Sequence, residues 1–258
     1  MRYTASNLSV MSESRPFFRC VRPGVDGQYE EGGRWMYVLH PQYAPDATHY
    51  LRAFSIVQAD LLRLFEFIEP ADANETAYSY RCLELLLRSC GEVEANCKAI
   101  LEQNGYGIGQ QLNMADYRKL DATHRLSSYR IRLPVWTGDH AVRAPFSEWA
   151  VGGSPTWFKA HHGGKHNRHS EFAKASLGNV VDAVAGVVAL LSAQFITHDF
   201  GPMSRMLSVE SGSDGFEQAV GGYFEVGFPD DWPVEQRYDF EWQILQKESA
   251  PFQRLSFT

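Results

Sequence analysis

The amino-acid sequence predicts a mainly α protein, a helical bundle with a small β-rich C-terminal addition. Apolar residues recur at intervals of three and four over long segments between residues 46 and 198, which is the spacing of amphipathic helices. Glycine- and proline-containing stretches separate these segments. After residue 200 the pattern changes to an alternation of apolar and polar residues, which is typical of strands.

The composition fits one or two globular domains. The chain has 258 residues, of which 44% are hydrophobic and 21% charged, and these values exclude wholesale disorder, collagen and coiled-coil fibre. We predict an irregular N-terminal arm over 1–45, a helical bundle domain over 46–200 and a β-rich addition over 201–258. Within the arm, residues 35–39 resemble a strand.

Four helices are predicted for the bundle, over residues 46–69, 74–103, 155–162 and 170–198. Pro70 ends the first and Gly105 follows the second, as expected for residues that terminate helices. Gly163 and Gly164 interrupt the pattern between the third and the fourth. The fourth is apolar almost all round, which favours a position in the middle of the bundle.

The helical spacing predicts one contiguous core. Its members are Phe54, Leu61, Leu87, Val93, Ile100, Val180, Val184, Val188 and Leu191. A shorter helix is expected within residues 114–128, and a short exposed strand or extended arm within 129–135. In the tail, the alternation over residues 223–228 and 238–245 predicts a hairpin or a small sheet.

Charge and cysteine content limit the class of protein. The formal net charge of −7 argues against a surface coated in basic charge for duplex binding, although a local basic patch is compatible with it. No apolar run suits a signal peptide, and the longest charge-free stretch, 183–198, is too short and polar to span a membrane. Four cysteines without a CxxC pair predict reduced thiols. We therefore expect a cytoplasmic protein without membrane contact.

One short segment, HHGGKHNRH over residues 161–169, carries most of the functional information. It concentrates imidazole and cationic groups: His161, His162, Lys165, His166, Arg168 and His169. A metal site is one interpretation, since three of the histidines follow helical spacing. The two glycines, the two cations and the lack of an HExxH pattern count against it, so neither a metal nor another cofactor is predicted.

Two other interpretations stay open. In the first, Lys165 and Arg168 bind the phosphate of RNA or a nucleotide, and His166 is a general acid or base. In the second, the segment is a polar turn whose two cations pair with an Asp or Glu of the neighbouring helix, for example Glu92 or Glu94. The protein would then be a non-catalytic dimeric interaction module.

Three segments together resemble a known superfamily. They are ELLLRSCGEVEANCKAIL (84–101), LNMADY (112–117) and WFKAHHGGKHNRHSEFAKASLGNVVDAVAGVVALLSAQF (157–195). A Trp, a Tyr-Asn-x-x-Lys-His-x-Arg-like motif and an apolar helix recur in a group of bacterial proteins, and this arrangement is similar to the HEPN superfamily. The resemblance covers residues 50–200. It implies a helical bundle of the kind found in RNases, toxins and phage-defence systems.

The resemblance also implies functional residues. In HEPN nucleases an Arg precedes a His by about five residues, and dimer formation brings two such motifs together on RNA. That His corresponds to His166, while His161 stands at the Arg position and His162 at the following Asn. If Lys165 or Arg168 replaces the missing Arg, the protein is a metal-independent endoribonuclease. Otherwise it is a catalytically inactive member of the superfamily that binds RNA, a nucleotide or an antitoxin-like partner protein. A homodimer is expected in both cases.

Overall fold

The computed structural model describes residues 12–198, 200 and 214–257. About 51% of the chain is helical and a small antiparallel sheet completes the fold, so the mainly α class is confirmed. The described residues form α1 (Ala47–Phe65), α2 (Tyr80–Gln103), α3 (Met114–Arg118), α4 (Leu120–His124), α5 (Thr156–His166), α6 (Arg168–Glu171), α7 (Leu177–Phe195) and α8 (Trp242–Leu245). Short 3-10 helices lie at Glu31–Leu39, Asp72–Asn74, Leu126–Ser128, Asp139–Ala141, Ser147–Val151, Phe172–Lys174 and Val234–Gln236.

Helix α7 lies at the centre of the bundle. It is buried throughout apart from Asn179 and Asp182, and it packs most extensively against α2, with α5 and α1 beside it. Among the helices in the described part of the chain, α7 alone is long and apolar enough to cross a membrane. However, 83% of its apolar window is buried inside the protein, as is expected of a core helix in a soluble protein.

The predicted core is confirmed for eight of its nine residues, which are all buried. The exception is Leu87, which is half-buried and packs against the edge of the cluster. The four cysteines, Cys20, Cys82, Cys90 and Cys97, are free and buried, and the last three lie on α2 as predicted. Helical periodicity therefore identified the interior of the bundle correctly.

Two of the predicted helices begin later than expected because serine residues cap them. Ser79 Oγ accepts a hydrogen bond from the Cys82 backbone N–H at 3.1 Å, so α2 begins at Tyr80. Ser176 caps α7 in the same way, and residues 168–174 form α6 and a 3-10 turn instead. The first helix ends at Phe65, four residues before the expected end.

The sheet has the antiparallel order β2–β1–β4–β3, formed by β1 (Arg130–Arg132), β2 (Val142–Arg143), β3 (Glu217–Gln218) and β4 (Glu225–Gly227). Ile131 pairs with Arg143 of β2 on one side and with Val226 of β4 on the other. The strand expected to be exposed is therefore internal, and Ile131 is fully buried. Because β4 pairs with β1, the C-terminal tail completes a sheet that begins in the central region.

Two predicted strands are helical. Residues 35–39 lie in the 3-10 helix Glu31–Leu39, after Gly32 and Gly33, whose φ angles of 67° and 71° turn the chain. Residues 238–245 contain α8. Its Trp242 and Leu245 are both buried, and a separation of three places them on one side of a helical turn.

The two ends of the described chain pack together. Parallel bridges join Glu13 to Tyr238 and Phe17 to Gln253. The Tyr238 hydroxyl donates to the Cys20 carbonyl at 2.8 Å and accepts from the Phe17 backbone N–H at 3.0 Å. The described N-terminal residues therefore pack against the C-terminal part of the chain.

Candidate functional site

The histidine-rich segment begins in the last turns of α5. At the start of this helix, Glu148 Oε1 accepts hydrogen bonds from the backbone N–H and hydroxyl of Thr156 at 3.1 and 3.2 Å. Trp157 is buried, and its indole N–H donates to the Pro145 carbonyl at 2.7 Å. These contacts fix the axis of α5 and thereby the position of its C-terminal end.

Gly163 and Gly164 do not interrupt α5, contrary to the prediction. The helix continues to His166, and the Asn167 N–H bonds to the Gly163 carbonyl at 2.8 Å. At Gly164 a Cβ atom would lie 2.8 Å from Leu83 Cδ1 of α2. The missing side chain therefore lets α5 and α2 approach closely, and this is why the sequence tolerates a glycine here.

His161 is buried. It is 8% exposed, and its ring lies 5.3 Å from that of Phe158. Burial, with a smaller contribution from the charge of Lys165, lowers the pKa of His161 to about 4. The imidazole is thus neutral at pH 7 and cannot supply the positive charge of the Arg that HEPN nucleases have at this position.

His162, Lys165 and His166 are all exposed at this end of α5. The ring centroids of His162 and His166 are 4.6 Å apart, because residues at i and i+4 share one helix face. Across the described residues Lys165 forms no ion pair, and the nearby carboxylate of Glu171 is paired with Lys174. The turn thus presents two imidazoles and one unneutralised ammonium to solvent.

The polar-turn interpretation fails for Lys165. Within the described ranges neither Glu92 nor Glu94 takes part in an ion pair, and the ion pairs of α2 use Arg81, Arg88 and Lys98 instead. His169 is exposed in α6. The backbone of Arg168 also belongs to α6, but its side chain lies outside what the structure describes.

A second polar cluster, which sequence reasoning missed, lies at the N-terminal end of α5 in a cleft of about 490 Å³. Arg143 is 8% exposed there and stacks 4.4 Å from the centroid of the Trp136 ring. Its Nη1 lies 2.8 Å from Glu75 Oε1 and 3.3 Å from Asp182 Oδ1. Burial raises the pKa of Asp182 to about 6, although Arg143 opposes this.

In the part of the chain that the structure describes, the side chains best placed to share a metal ion are Asp72, Glu75 and His140. Glu75 and His140 line the cleft, and His140 Nδ1 lies 3.0 Å from Glu75 Oε2. Asp72 already accepts hydrogen bonds from the Trp136 indole at 2.6 Å and the Asp139 backbone N–H at 2.7 Å. Because these groups bond to one another, we assign the cluster a structural role, in which it connects β2 to α7. The one sequence signal for it was Asp182, the single carboxylate of α7.

Arg118 and His124 also match the Arg–His spacing of the nuclease motif. They do not form a site. His124 is buried with Nε2 3.0 Å from the Arg19 carbonyl and Nδ1 2.8 Å from Thr123 Oγ1, while Arg118 bonds to the Gly152 carbonyl.

Comparison with protein-family models, curated proteins and solved structures gave no match for this chain. The resemblance to the HEPN superfamily therefore rests on the residues of the motif.

Proposed function

We propose that the protein binds RNA at the C-terminal end of α5 and cleaves it without a metal ion. The observation that carries this proposal is the exposed pair of imidazoles, His162 and His166, whose ring centroids are 4.6 Å apart, close to Lys165, which forms no ion pair with any residue that the structure describes. Two imidazoles can accept and donate the two protons that phosphodiester cleavage moves. The ammonium group can stabilise the charge that develops on the phosphate.

The reaction needs no group that the chain lacks. His166, as general base, takes the proton from a ribose 2′-hydroxyl, and the O2′–P bond forms. The P–O5′ bond then breaks, and the leaving oxygen takes a proton from His162 in its imidazolium form. The products are a 2′,3′-cyclic phosphate and a free 5′-hydroxyl.

The proposal assigns the role of the missing Arg to other cations. Since His161 is buried and neutral at pH 7, Lys165 and Arg168 are proposed as the phosphate-binding cations. In line with the HEPN resemblance, the active form is proposed to be a cytoplasmic homodimer that brings two copies of the segment to one RNA. A non-catalytic interaction module is the alternative.

Binding is tested with a fluorescent single-stranded RNA and fluorescence anisotropy. We expect Lys165→Ala to weaken binding at low salt and to reduce the magnitude of the slope of log affinity against log salt by about 0.7, because one phosphate contact to a single strand is lost. Lys247→Ala, which removes an exposed lysine after α8, is the control and should leave both quantities unchanged. Equal binding by wild type and Lys165→Ala, with a lowered melting temperature in the variant, would favour the interaction module.

A further inference from the structure

Three aromatic residues form a partly exposed surface beside the histidine-rich segment. Tyr80 and Tyr78 are 63% and 52% exposed. The ring of Phe172 lies between them, with centroids 4.7 Å from Tyr80 and 5.4 Å from Tyr78. We call these three residues the aromatic surface.

The backbone holds the aromatic surface in place. Tyr78 forms an antiparallel bridge with Ser176, and the Leu177 N–H bonds to the Ala77 carbonyl at 2.8 Å. Tyr80 is the first residue of α2, directly after the capping Ser79. The tyrosines are therefore fixed to the ends of two long helices, and little backbone entropy would be lost if they bound a ligand.

The aromatic surface is connected to the histidine-rich segment through two contacts. Near the C-terminal end of α5, Gly164 packs against Leu83, three residues and about 4.5 Å along the axis of α2 from Tyr80. Beyond the segment, the Glu171 side chain lies against Gly163, and the next residue, Phe172, stacks on Tyr80. The last two turns of α5, which carry His162, Lys165 and His166, therefore lie close to the first turn of α2.

We infer that the aromatic surface is the base-binding part of the proposed RNA site, where unpaired nucleobases stack on Tyr80 and Tyr78. This inference rests on the proposed function. Exposed aromatic rings next to cationic groups provide stacking and phosphate contact together, which is how proteins bind single strands. In a duplex the faces of the bases are already stacked, so they are not available to the tyrosines.

The test uses Tyr80→Ala and Tyr80→Phe, with Phe67→Ala as the control. Phe67 is 84% exposed and follows α1, so this control removes a ring that is more exposed than Tyr80 and lies outside the aromatic surface. The probes are a fluorescent 12-nucleotide RNA, the same length of ribose-phosphate chain without bases, and an RNA duplex. Thermal melting of each variant shows that it is folded.

We expect Tyr80→Ala to weaken binding of the single strand about tenfold, because one base loses its stacking partner. Tyr80→Phe should bind like wild type, since the ring is kept, and Phe67→Ala should do the same. The abasic chain should bind wild type and Tyr80→Ala equally, and the duplex should bind more weakly than the single strand.

Failure of the inference and failure of the proposed function give different results. If Lys165→Ala weakens binding but Tyr80→Ala does not, or if the abasic chain binds wild type as tightly as the complete RNA, the aromatic surface does not bind bases. If wild type binds none of the probes, the proposed function itself is wrong and the inference fails with it.

Discussion

Asp182 places an ionisable group on the most apolar helix of the protein. Its side chain is 31% exposed and its partner is Arg143. Burial raises its pKa from 3.8 to about 6. Between these values the unfolded chain has lost the proton while the folded chain keeps it, so the free energy of unfolding falls as pH rises through this window.

The effect of Asp182 is tested by comparing the free energy of unfolding in urea of wild type and Asp182→Asn between pH 4 and pH 8. We expect wild type to lose stability relative to the variant as pH rises from 4 to 6, by on the order of 2 kcal/mol. Above pH 7 the difference in free energy of unfolding between wild type and Asp182→Asn should be constant. A difference that does not change between pH 4 and 6 would show that the carboxyl group titrates normally.

The contribution of His161 to stability changes with pH in the opposite direction. Because burial lowers its pKa from 6.5 to about 4, the unfolded chain binds a proton in this range that the folded chain does not. We expect wild type to lose stability relative to His161→Gln as pH decreases from 6.5 to 4. Proton-detected NMR of the imidazole gives the pKa directly, and a value near 6.5 would contradict the buried position.

The sequence could predict which residues carry charge at the candidate site, but not which of them face solvent. It grouped His161 with His162 and His166 because they are neighbours in the chain. Only the packing of α5 against the bundle separates the buried imidazole from the exposed pair. Likewise, the Arg143 cluster could not be predicted, since it joins residues far apart in sequence.

The absence of a side chain at Gly164 determines how closely the helices α5 and α2 pack. Ala favours helices over Gly by about 1 kcal/mol, so Gly164→Ala would stabilise an isolated helix. In the protein, the added Cβ would meet Leu83 at 2.8 Å, and Leu83 is buried. Overpacking of the core costs about 1–3 kcal/mol, so after the helix gain we expect a net loss of up to about 2 kcal/mol.

The matched control for this prediction is Gly91→Ala. Gly91 lies inside α2, and a Cβ atom there would have no neighbour within 4 Å, so this variant should be more stable by about 0.5–1 kcal/mol. The double variant Gly164→Ala with Leu83→Val should recover part of the loss. Equal stabilisation by both alanine variants in chemical unfolding would refute the proposed role of Gly164.

The long elements were more predictable than the short ones. Periodicity over many residues identified α1, α2 and α7, because an amphipathic pattern averages over local exceptions. The period-two pattern around Trp242 failed since a single helical turn has too few residues to show its own period. The strand β1 was placed correctly in sequence, but its burial depends on β4, about ninety residues further along the chain.

For the whole molecule, the resemblance to HEPN proteins is the reason to predict a homodimer. The nearly all-round apolar surface of α7 gives no second reason, because α7 is covered within a single chain. Light scattering at micromolar concentration should give twice the chain mass of 29.2 kDa, and a monomer would remove the dimer from the proposal.

We propose that the exposed imidazoles at the end of α5 cleave RNA without a metal ion. The most direct measurement follows the degradation of a labelled single-stranded RNA by wild type, His166→Ala and His162→Ala in the presence of EDTA. We predict that wild type cleaves and leaves a 2′,3′-cyclic phosphate. His166→Ala should bind RNA with nearly unchanged affinity but cleave about 10²–10⁴-fold more slowly, because proton transfer is lost. Cleavage by wild type that stops in EDTA, or equal cleavage by wild type and His166→Ala, would contradict the claim.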